Sequence, residues 1–166
     1  MSKFLEKIKT IASKNKKVAM FVDMDGTITV YGVYQEADVA RKMAEDYKTA
    51  EPLNYVINIL EEINNIPNVD IYILTLSRDK KITEEKEIWL EKYVNFVKPE
   101  NWIIITKELG EYNKENRDII KAEKMKEKLD KYNYEILLDD DHKILKETQK
   151  ILGNSASVFH ISSAII

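Results

Sequence analysis

The sequence contains no cysteine. This excludes disulfides, thiolate nucleophiles and zinc or iron–sulfur sites held by cysteine. A nucleophile must therefore come from Ser, Thr, Lys, Tyr, His or a carboxylate. Glycine (4 residues) and proline (3 residues) are also scarce, and the 166 residues contain no repeat, linker or low-complexity tract. The length and composition predict a single domain over residues 1–166.

Long apolar runs and an excess of basic charge are absent as well. The longest apolar runs span a few residues, whereas a helix that crosses a bilayer needs roughly 20. The basic N-terminal residues lack the continuous apolar region of a signal peptide. The 26 Lys and Arg against 29 Asp and Glu give a formal net charge of −3, which argues against a nucleic-acid backbone binder. We expect a cytoplasmic protein without a membrane partner. The charge also disfavours a nucleic-acid partner, and the oligomeric state stays open.

Five short segments predict β-strands because each is an almost continuous apolar run, typical of strands covered on both faces. They are Val18–Val22, Asp70–Leu74, Trp102–Thr106, Glu135–Leu138 and Ser157–Ile161. Periodic, charged stretches lie between them, and strands that alternate with helices form parallel sheets with right-handed crossovers. The fold class expected is α/β, a three-layer, doubly wound, Rossmann-like parallel sheet of about five strands.

The periodic stretches predict helices over residues 1–16, Glu36–Lys48, Pro52–Asn64, Thr83–Tyr93, Asp118–Lys131 and His142–Leu152. Thr83 is expected as a helix N-cap and Gly153 as a C-cap. Residues 28–66 are expected to hold a flap around Tyr31 and Tyr34 together with crossover helices. These residues are long enough for at most a small helical insertion that covers the ligand pocket, a so-called cap.

Two carboxylates follow the first predicted strand, in the run Asp23-Met24-Asp25-Gly26-Thr27. Ligands of parallel sheets bind beyond the carboxyl ends of the strands, and Gly26 permits a sharp turn at that point. A carboxylate next to Mg²⁺ can attack phosphorus, and a second one can protonate the leaving oxygen. An EF-hand is excluded because Gly26 is fourth from Asp23, whereas that loop needs glycine at its sixth position. An ordinary Asp-Gly turn stays open as the alternative.

Three segments together resemble the motifs of the haloacid dehalogenase superfamily. Phe21–Thr27 resembles the first motif, in which the phosphatases carry Asp-x-Asp-Gly-Thr after the first strand. Ile71–Thr75 resembles the second motif, an apolar strand ending in Thr or Ser, and Ile136–Asp140 resembles the fourth, a strand ending in acidic residues. The motifs occur in order over about residues 17–163. The resemblance implies a short-cap, Mg²⁺-dependent phosphatase.

The resemblance also implies roles for the matching residues. Asp23 would be the nucleophile and a Mg²⁺ ligand, and Asp25 the general acid/base that also offers its backbone carbonyl to the metal. Asp139 would be the third protein ligand of the metal. Thr75 would hydrogen-bond the phosphoryl group, and Asp140 would support the metal indirectly, for example through water. These roles agree with the preference of Mg²⁺ for oxygen ligands and a substrate phosphate. The neighbouring Asp141 is assigned to helix capping or solvent.

The third motif of the superfamily is a lysine that neutralises charge between the nucleophile and the phosphoryl group. The candidates are Lys107, Lys114, Lys121 and Lys124, with Lys121 favoured because it begins the helix before the fourth strand. A solvated helix face is the ordinary alternative for each lysine. Further candidates for substrate contact are Gly26, Thr27, Arg78 and Lys107. The two histidines, His142 and His160, are interpreted as isolated, and His160 as a hydrogen-bonded residue of the core or the sheet end.

Residues 86–93 are similar to a helix of the 5′(3′)-deoxyribonucleotidase-like group, and the acidic run at residues 137–141 is similar to that group's fourth motif. This resemblance implies a phosphoric monoester hydrolase acting on a small phosphorylated metabolite, such as a nucleoside monophosphate. Three alternatives stay open. They are a phosphoprotein or a nucleic-acid end as the substrate, an acceptor other than water, and a non-catalytic binding module.

Overall fold

The computed structural model of the chain describes residues 2–30 and 47–165. Within these residues the strands form one parallel sheet in the spatial order β3-β2-β1-β4-β5. The strands are β1 (Val18–Val22), β2 (Val69–Ser77), β3 (Trp102–Thr106), β4 (Tyr134–Asp139) and β5 (Ala156–His160). This sheet, covered by helices on both faces, confirms the predicted α/β fold class.

The helices divide between the two faces of the sheet. They are α1 (Lys3–Lys14), α2 (Asn54–Asn64), α3 (Lys80–Tyr93), α4 (Ile120–Lys126) and α5 (His142–Leu152). The apolar residues of α1, α2 and α3 pack on one face, and those of α4 and α5 pack on the other. No helix of the described residues has both the length and the apolar composition needed to cross a membrane.

The central strand β1 explains why the predicted strands read as continuous apolar runs. Its five residues are all buried. Met20 and Val22 pack against the layer of α1, α2 and α3, whereas Ala19 and Phe21 pack against the layer of α4 and α5. Because successive side chains of a strand point to opposite faces, a strand covered on both sides needs apolar residues at every position.

The strand order positions the functional site. The chain runs outward from β1 through β2 to β3, and then returns to the other side of β1 to form β4 and β5. The order therefore reverses between β1 and β4, and ligands of open α/β sheets bind in the crevice at such a reversal. The residues that follow β1 and those that end β4 are therefore the first candidates for ligand binding.

Two predictions of local structure near this crevice are wrong. Thr83 is not the N-cap of α3, because the helix begins at Lys80 and the Asp79 side chain accepts a hydrogen bond from the Ile82 backbone N–H at 2.9 Å. The Thr83 hydroxyl instead bonds the hydroxyls of Ser77 and Thr106. Asp and Thr are both favoured at helix N-caps. The sequence alone therefore does not distinguish Asp79 from Thr83, and the contacts of Thr83 with other segments determine which of them caps the helix.

The second correction concerns Thr75, which lies inside β2 and not directly after it. The first part of β2 pairs with β1, whereas Ile73 to Ser77 pair with β3. The strand therefore continues three residues beyond the predicted end at Leu74, and Thr75 still lies beyond the last residue of β1.

The other boundaries are close to prediction. The bounds of β1, β3 and α5 are confirmed, and Gly153 ends α5 with φ of 55°. Asp141 caps α5 by accepting hydrogen bonds from the backbone N–H groups of residues 143 and 144. Helix α4 is shorter than its predicted range. The predicted helix over residues 36–48 and the flap around Tyr31 and Tyr34 lie outside the described residues, apart from positions 47 and 48, which form a turn.

Candidate active site

Asp23 and Asp139 lie side by side at the crevice because β1 and β4 are in register. Val22 pairs with Leu138, so the residues that follow them, Asp23 and Asp139, lie next to each other at the same edge of the sheet. The Asp23 backbone N–H donates to the Leu138 carbonyl at 3.0 Å, which holds the two segments together. Both carboxylates are buried. Asp140 adds a third, and oxygen atoms of these three side chains lie within 4.8 Å of one another.

A tight turn follows β1 and brings a hydroxyl group to Asp23. The Met24 carbonyl accepts hydrogen bonds from the backbone N–H groups of residues 27, 28 and 29 at 3.0 to 3.2 Å. Gly26 has φ of 74°, in the left-handed region that favours glycine. Within this turn the Thr27 hydroxyl donates to Oδ2 of Asp23 at 3.2 Å. The Asp-x-Asp-Gly-Thr sequence therefore orients one oxygen of Asp23.

Lys121 orients the other oxygen of Asp23. Its Nζ donates to Oδ1 of Asp23 at 2.8 Å and to Oδ2 of Asp139 at 2.7 Å. The side chain is buried, and α4 carries it to the crevice. An ammonium group has three N–H donors, so two are used by carboxylates and one is left for a further acceptor. Of the four lysines considered from the sequence, Lys121 contacts Asp23 and lines the cavity, whereas residues 107, 114 and 124 do not line it.

A cavity of about 530 Å³ opens over these groups. Five carboxylates and three cationic side chains line it, a formal excess of two negative charges. The lining residues are Asp23, Asp25, Leu76, Arg117, Lys121, Asp139, Asp140, Asp141, His142, Lys143 and Ile144. An anionic substrate would therefore meet a net negative surface unless a cation is also present.

Burial and mutual repulsion change the proton affinities of the cluster. Burial, together with repulsion from Asp23, raises the pKa of Asp139 to about 6 despite the opposing effect of Lys121. Burial and the charges of Asp23 and Asp139 raise the pKa of Asp140 to about 7. Burial lowers the pKa of Lys121, but the attraction of Asp23 and Asp139 outweighs it and the net change is upward. The negative charges are therefore costly in the protein alone, and a bound cation would stabilise them.

The donor set fits Mg²⁺. The cluster offers carboxylate oxygens only, which are the ligands that Mg²⁺ prefers, and its open side faces the cavity where water and a phosphate oxygen can complete the coordination. Asp23, Asp139 and Asp140 would hold the ion. The sequence prediction had given Asp140 an indirect role, whereas its side chain belongs to the cluster itself.

Asp25 faces the same cavity and is held by Lys86. This lysine is the first residue of the segment 86–93 that resembles a helix of the deoxyribonucleotidase-like group, but no role in the site was predicted for it. Nζ of Lys86 donates to Oδ2 of Asp25 at 3.2 Å, to the Thr75 hydroxyl at 2.8 Å and to the Leu76 carbonyl at 2.7 Å. Burial lowers the pKa of Lys86, against the attraction of Asp25. Burial also raises the pKa of Asp25, against the effect of Lys86. Thr75 therefore connects to the site through Lys86, and it does not itself line the cavity.

The sequence did contain a signal for Lys86. Ile82, Lys86, Trp89 and Leu90 are spaced as i, i+4, i+7 and i+8, which is the spacing of a buried helix face. A lysine at a core position must find partners for its charge, so it deserves to be treated as a site candidate. Arg117, which lines the cavity from the loop before α4, had no such signal. Its Nη1 bonds Asp118 at 3.1 Å and Asp141 at 3.2 Å.

None of the four proposed substrate contacts, Gly26, Thr27, Arg78 and Lys107, lines the cavity. Gly26 and Thr27 belong to the turn after β1. Arg78 has an exposed side chain that pairs with Asp79 at 3.4 Å. Lys107 is exposed in a short 3₁₀ turn after β3. For all four, a role in substrate binding stays a prediction.

The interpretation of the histidines as isolated is wrong, because the rings of His142 and His160 stack with centroids 4.3 Å apart. His160 does end β5, and its Nε2 lies 3.1 Å from the Asp140 carbonyl oxygen. This contact agrees with its prediction as a hydrogen-bonded residue at the sheet end.

Comparison with known proteins gives little beyond this geometry. No protein-family model matches the chain, and no curated protein matches it significantly. Similar solved structures include the HAD domain of the effector protein Lem4 from Legionella pneumophila, with 18% identity, a TM-score of 0.48 and coverage of 87% of both chains. A structure of that domain described as an inactive mutant has 16% identity and a TM-score of 0.48, covering 87% of this chain and 84% of that one. At these identities and TM-scores, the likenesses assign neither a family nor an activity to this chain.

Proposed function

We propose that this protein is a Mg²⁺-dependent phosphomonoesterase of the haloacid dehalogenase type that forms a phospho-aspartate at Asp23. The observation that supports it most is the environment of Asp23. This carboxylate is buried at the end of β1, its two oxygens are oriented by Lys121 and Thr27, and it borders an open cavity. Three sequence motifs resemble those of the haloacid dehalogenase superfamily, and each lies at or near the carboxyl end of its strand. This resemblance supports the same function.

Asp23 and Asp25 divide the chemistry of two steps. In the first, a carboxylate oxygen of Asp23 forms a bond to phosphorus while the bond from phosphorus to the leaving oxygen breaks, and Asp25 gives its proton to that oxygen. In the second, Asp25 takes a proton from a water molecule whose oxygen attacks the phosphoryl group. The bond between phosphorus and the Asp23 oxygen breaks, inorganic phosphate leaves, and both Asp23 and the protonated Asp25 are restored.

The positive charges of the site serve the transferring phosphoryl group. The third N–H of Lys121 is available to an oxygen of that group, while the other two bind Asp23 and Asp139. Asp23, Asp139 and Asp140 would hold Mg²⁺, which when bound neutralises charge on the phosphoryl oxygens. Positioning and charge neutralisation are the main sources of rate enhancement in phosphoryl transfer, and both are provided for here.

The size of the cavity favours a small substrate. Pockets for small ligands typically measure about 300–1,000 Å³, and the cavity here holds about 530 Å³. We therefore favour a small phosphomonoester, such as a nucleoside monophosphate, over a phosphoprotein or a nucleic-acid end. Two further predictions stay untested. They are that residues 1–166 form a single domain and that the protein is cytoplasmic.

The test is hydrolysis of p-nitrophenyl phosphate with Mg²⁺ and with EDTA. We expect turnover that requires Mg²⁺ and is abolished by Asp23→Asn, with Asp130→Asn, the same change at an exposed aspartate, retaining full activity. An Asp23→Asn variant that folds and keeps near-normal turnover would contradict the mechanism. A wild-type protein that hydrolyses no phosphomonoester and binds no vanadate in the presence of Mg²⁺ would favour the non-catalytic binding module.

A panel of substrates then separates the substrate classes. Nucleoside 5′- and 3′-monophosphates, a phosphopeptide and a phosphorylated oligonucleotide end are compared by kcat/KM. Preference for the mononucleotides supports the small-substrate proposal, and preference for either macromolecule contradicts it. Adding an alcohol acceptor and measuring the yield of phosphorylated alcohol distinguishes phosphotransfer from hydrolysis.

A further inference from the structure

We infer that Lys86 is a positioning residue that holds one oxygen of Asp25 so that the other oxygen faces the leaving group of the substrate. The inference rests on the proposed function, since it requires Asp25 to act as the general acid/base. It concerns a residue for which the sequence motifs gave no role.

The hydrogen bonds of Lys86 leave no donor for a substrate. An ammonium group has three N–H donors, and the acceptors are Oδ2 of Asp25, the Thr75 hydroxyl and the Leu76 carbonyl. The residue is 1% exposed and does not line the cavity. Lys121 differs in both respects, because two carboxylates use two of its donors and it does line the cavity. Lys86 therefore acts on the site through Asp25 and Thr75, and not by binding a ligand.

The two oxygens of Asp25 have different surroundings. Oδ2 accepts the hydrogen bond from Lys86, whereas no hydrogen bond from the described residues reaches Oδ1. The side chain as a whole is 41% exposed. With Oδ2 attached to a buried group, the Asp25 side chain loses rotational freedom and Oδ1 is the oxygen presented to the cavity. Catalytic groups held in this way react faster than freely rotating ones.

The Lys86 ammonium is itself fixed by its surroundings. It lies 5.0 Å from the centroid of the Tyr47 ring, within the range of a cation–π interaction. The two neighbouring core residues of α3 tie down the segment that contains Tyr47. Glu85 Oε2 accepts from the Tyr47 backbone N–H at 3.2 Å, and the Trp89 indole N–H donates to the Ala50 carbonyl at 3.0 Å. The lysine is thus enclosed by α3, the end of β2 and residues 47–50, and the position it imposes on Asp25 is well defined.

This role predicts a dependence on the leaving group. p-Nitrophenolate departs with little need for a proton, whereas the more basic phenolate needs protonation by Asp25. The ratio kcat/KM reports the first irreversible step, which is transfer of the phosphoryl group to Asp23. Loss of Lys86 should therefore lower kcat/KM for phenyl phosphate more than for p-nitrophenyl phosphate, while a general loss of structure would lower both equally.

The experiment compares Lys86→Met with Lys81→Met, the same change at a side chain of α3 that is 79% exposed. Because general acid catalysis is worth about 10²–10⁴-fold, we expect Lys86→Met to lose about tenfold or more with phenyl phosphate and less than about threefold with p-nitrophenyl phosphate. Lys81→Met should match the wild type with both substrates. If Lys86→Met does not fold, Lys86→Gln serves in its place, because it keeps N–H donors without the charge. Its kcat/KM should fall more with phenyl phosphate than with p-nitrophenyl phosphate, with smaller losses than those expected for Lys86→Met.

A double-mutant cycle tests whether the effect passes through Asp25. In an Asp25→Asn background, Lys86→Met should cost less than about twofold, because residues that act as a unit are not additive. Equal losses with both substrates, full additivity with Asp25→Asn, or a raised KM with unchanged kcat would each overturn the inference while leaving the proposed function intact. A wild-type protein without phosphatase activity would overturn the proposed function, and this inference with it.

Discussion

Nζ of Lys121 lies 2.8 Å from Oδ1 of Asp23, although 98 positions separate the two residues in the sequence. The same ammonium group lies 2.7 Å from Oδ2 of Asp139. One buried cation therefore joins the carboxylates that end β1 and β4, the two strands at the reversal of strand order. Formation of the fold and formation of the site are coupled at this contact.

Removing that cation should affect both stability and catalysis. Lys121→Met leaves two buried carboxylates without their partner, and breaking a buried ion pair from one side costs about 3–5 kcal/mol. We expect a loss of that order in the free energy of unfolding, measured by urea denaturation, and a fall in kcat/KM of about 100-fold or more, typical of a lost charge-stabilising group. Lys124→Met, on the same helix but away from the cavity, serves as the control. Wild-type stability together with wild-type turnover in Lys121→Met would refute this role.

Mg²⁺ should stabilise the folded protein. An ion that binds only the folded state at about 100 times its Kd stabilises it by about 2.7 kcal/mol. We expect the Tm to rise with Mg²⁺ and to fall again with EDTA. Asp140→Asn removes one oxygen of the acidic cluster, and we expect it to weaken the effect so that about tenfold more Mg²⁺ is needed. A Tm that does not respond to Mg²⁺, or an identical response in Asp140→Asn, would contradict the assignment of the metal site.

Glu135 should make stability depend on pH without affecting the site. It lies near the amino end of β4, is 0% exposed, and neither carboxylate oxygen has a hydrogen-bond partner among the described residues. Burial raises the pKa of its carboxyl group from 4.5 to about 8, against the effect of Lys128. Because the folded pKa lies above the unfolded one, the associated stability is fully present below about pH 4.5 and is lost as the pH rises to about 8.

Glu135→Gln removes this titration. Relative to the wild type, we expect its free energy of unfolding to gain roughly 2–4 kcal/mol as the pH rises from about 5 to about 8, since a tenfold change in proton affinity is about 1.4 kcal/mol. Urea denaturation across this range provides the measurement, with Glu61→Gln at an exposed position of α2 as the control and kcat unchanged in both. A difference between Glu135→Gln and wild type that stays constant with pH would show that Glu135 does not titrate as described.

Much of the fold and part of the site could be predicted from the sequence. Strands buried on both faces are apolar at every position, so β1, whose five residues are all buried, was predicted with its observed bounds. The bounds of β3 were also predicted, although three of its five residues are only partly buried. Asp23 and Asp139 could be found because parallel strands end at one edge of the sheet. Lys121 could be favoured because it lies in the first turn of the helix that leads into β4.

The remaining features depend on contacts between distant segments. Lys86 reaches Asp25 and Thr75 from a different element, so only its position on the apolar face of α3 hinted at its burial. Thr75 was placed after its strand because the continuation of β2 depends on pairing with β3, and a single strand's composition does not contain that pairing. Arg117 reaches the cavity from a loop whose path the sequence pattern does not determine.

The central claim, that Asp23 becomes phosphorylated, is tested most directly in Asp25→Asn. With p-nitrophenyl phosphate the first step needs little protonation, whereas the second step lacks its base, so the covalent intermediate should accumulate. The variant is mixed with this substrate and Mg²⁺, quenched in acid and analysed by peptide mass spectrometry. We expect a phosphoryl group on the peptide containing Asp23, and none in Asp23→Asn. Turnover of the wild type without any adduct at Asp23 in Asp25→Asn, or an adduct on another residue, would contradict the account.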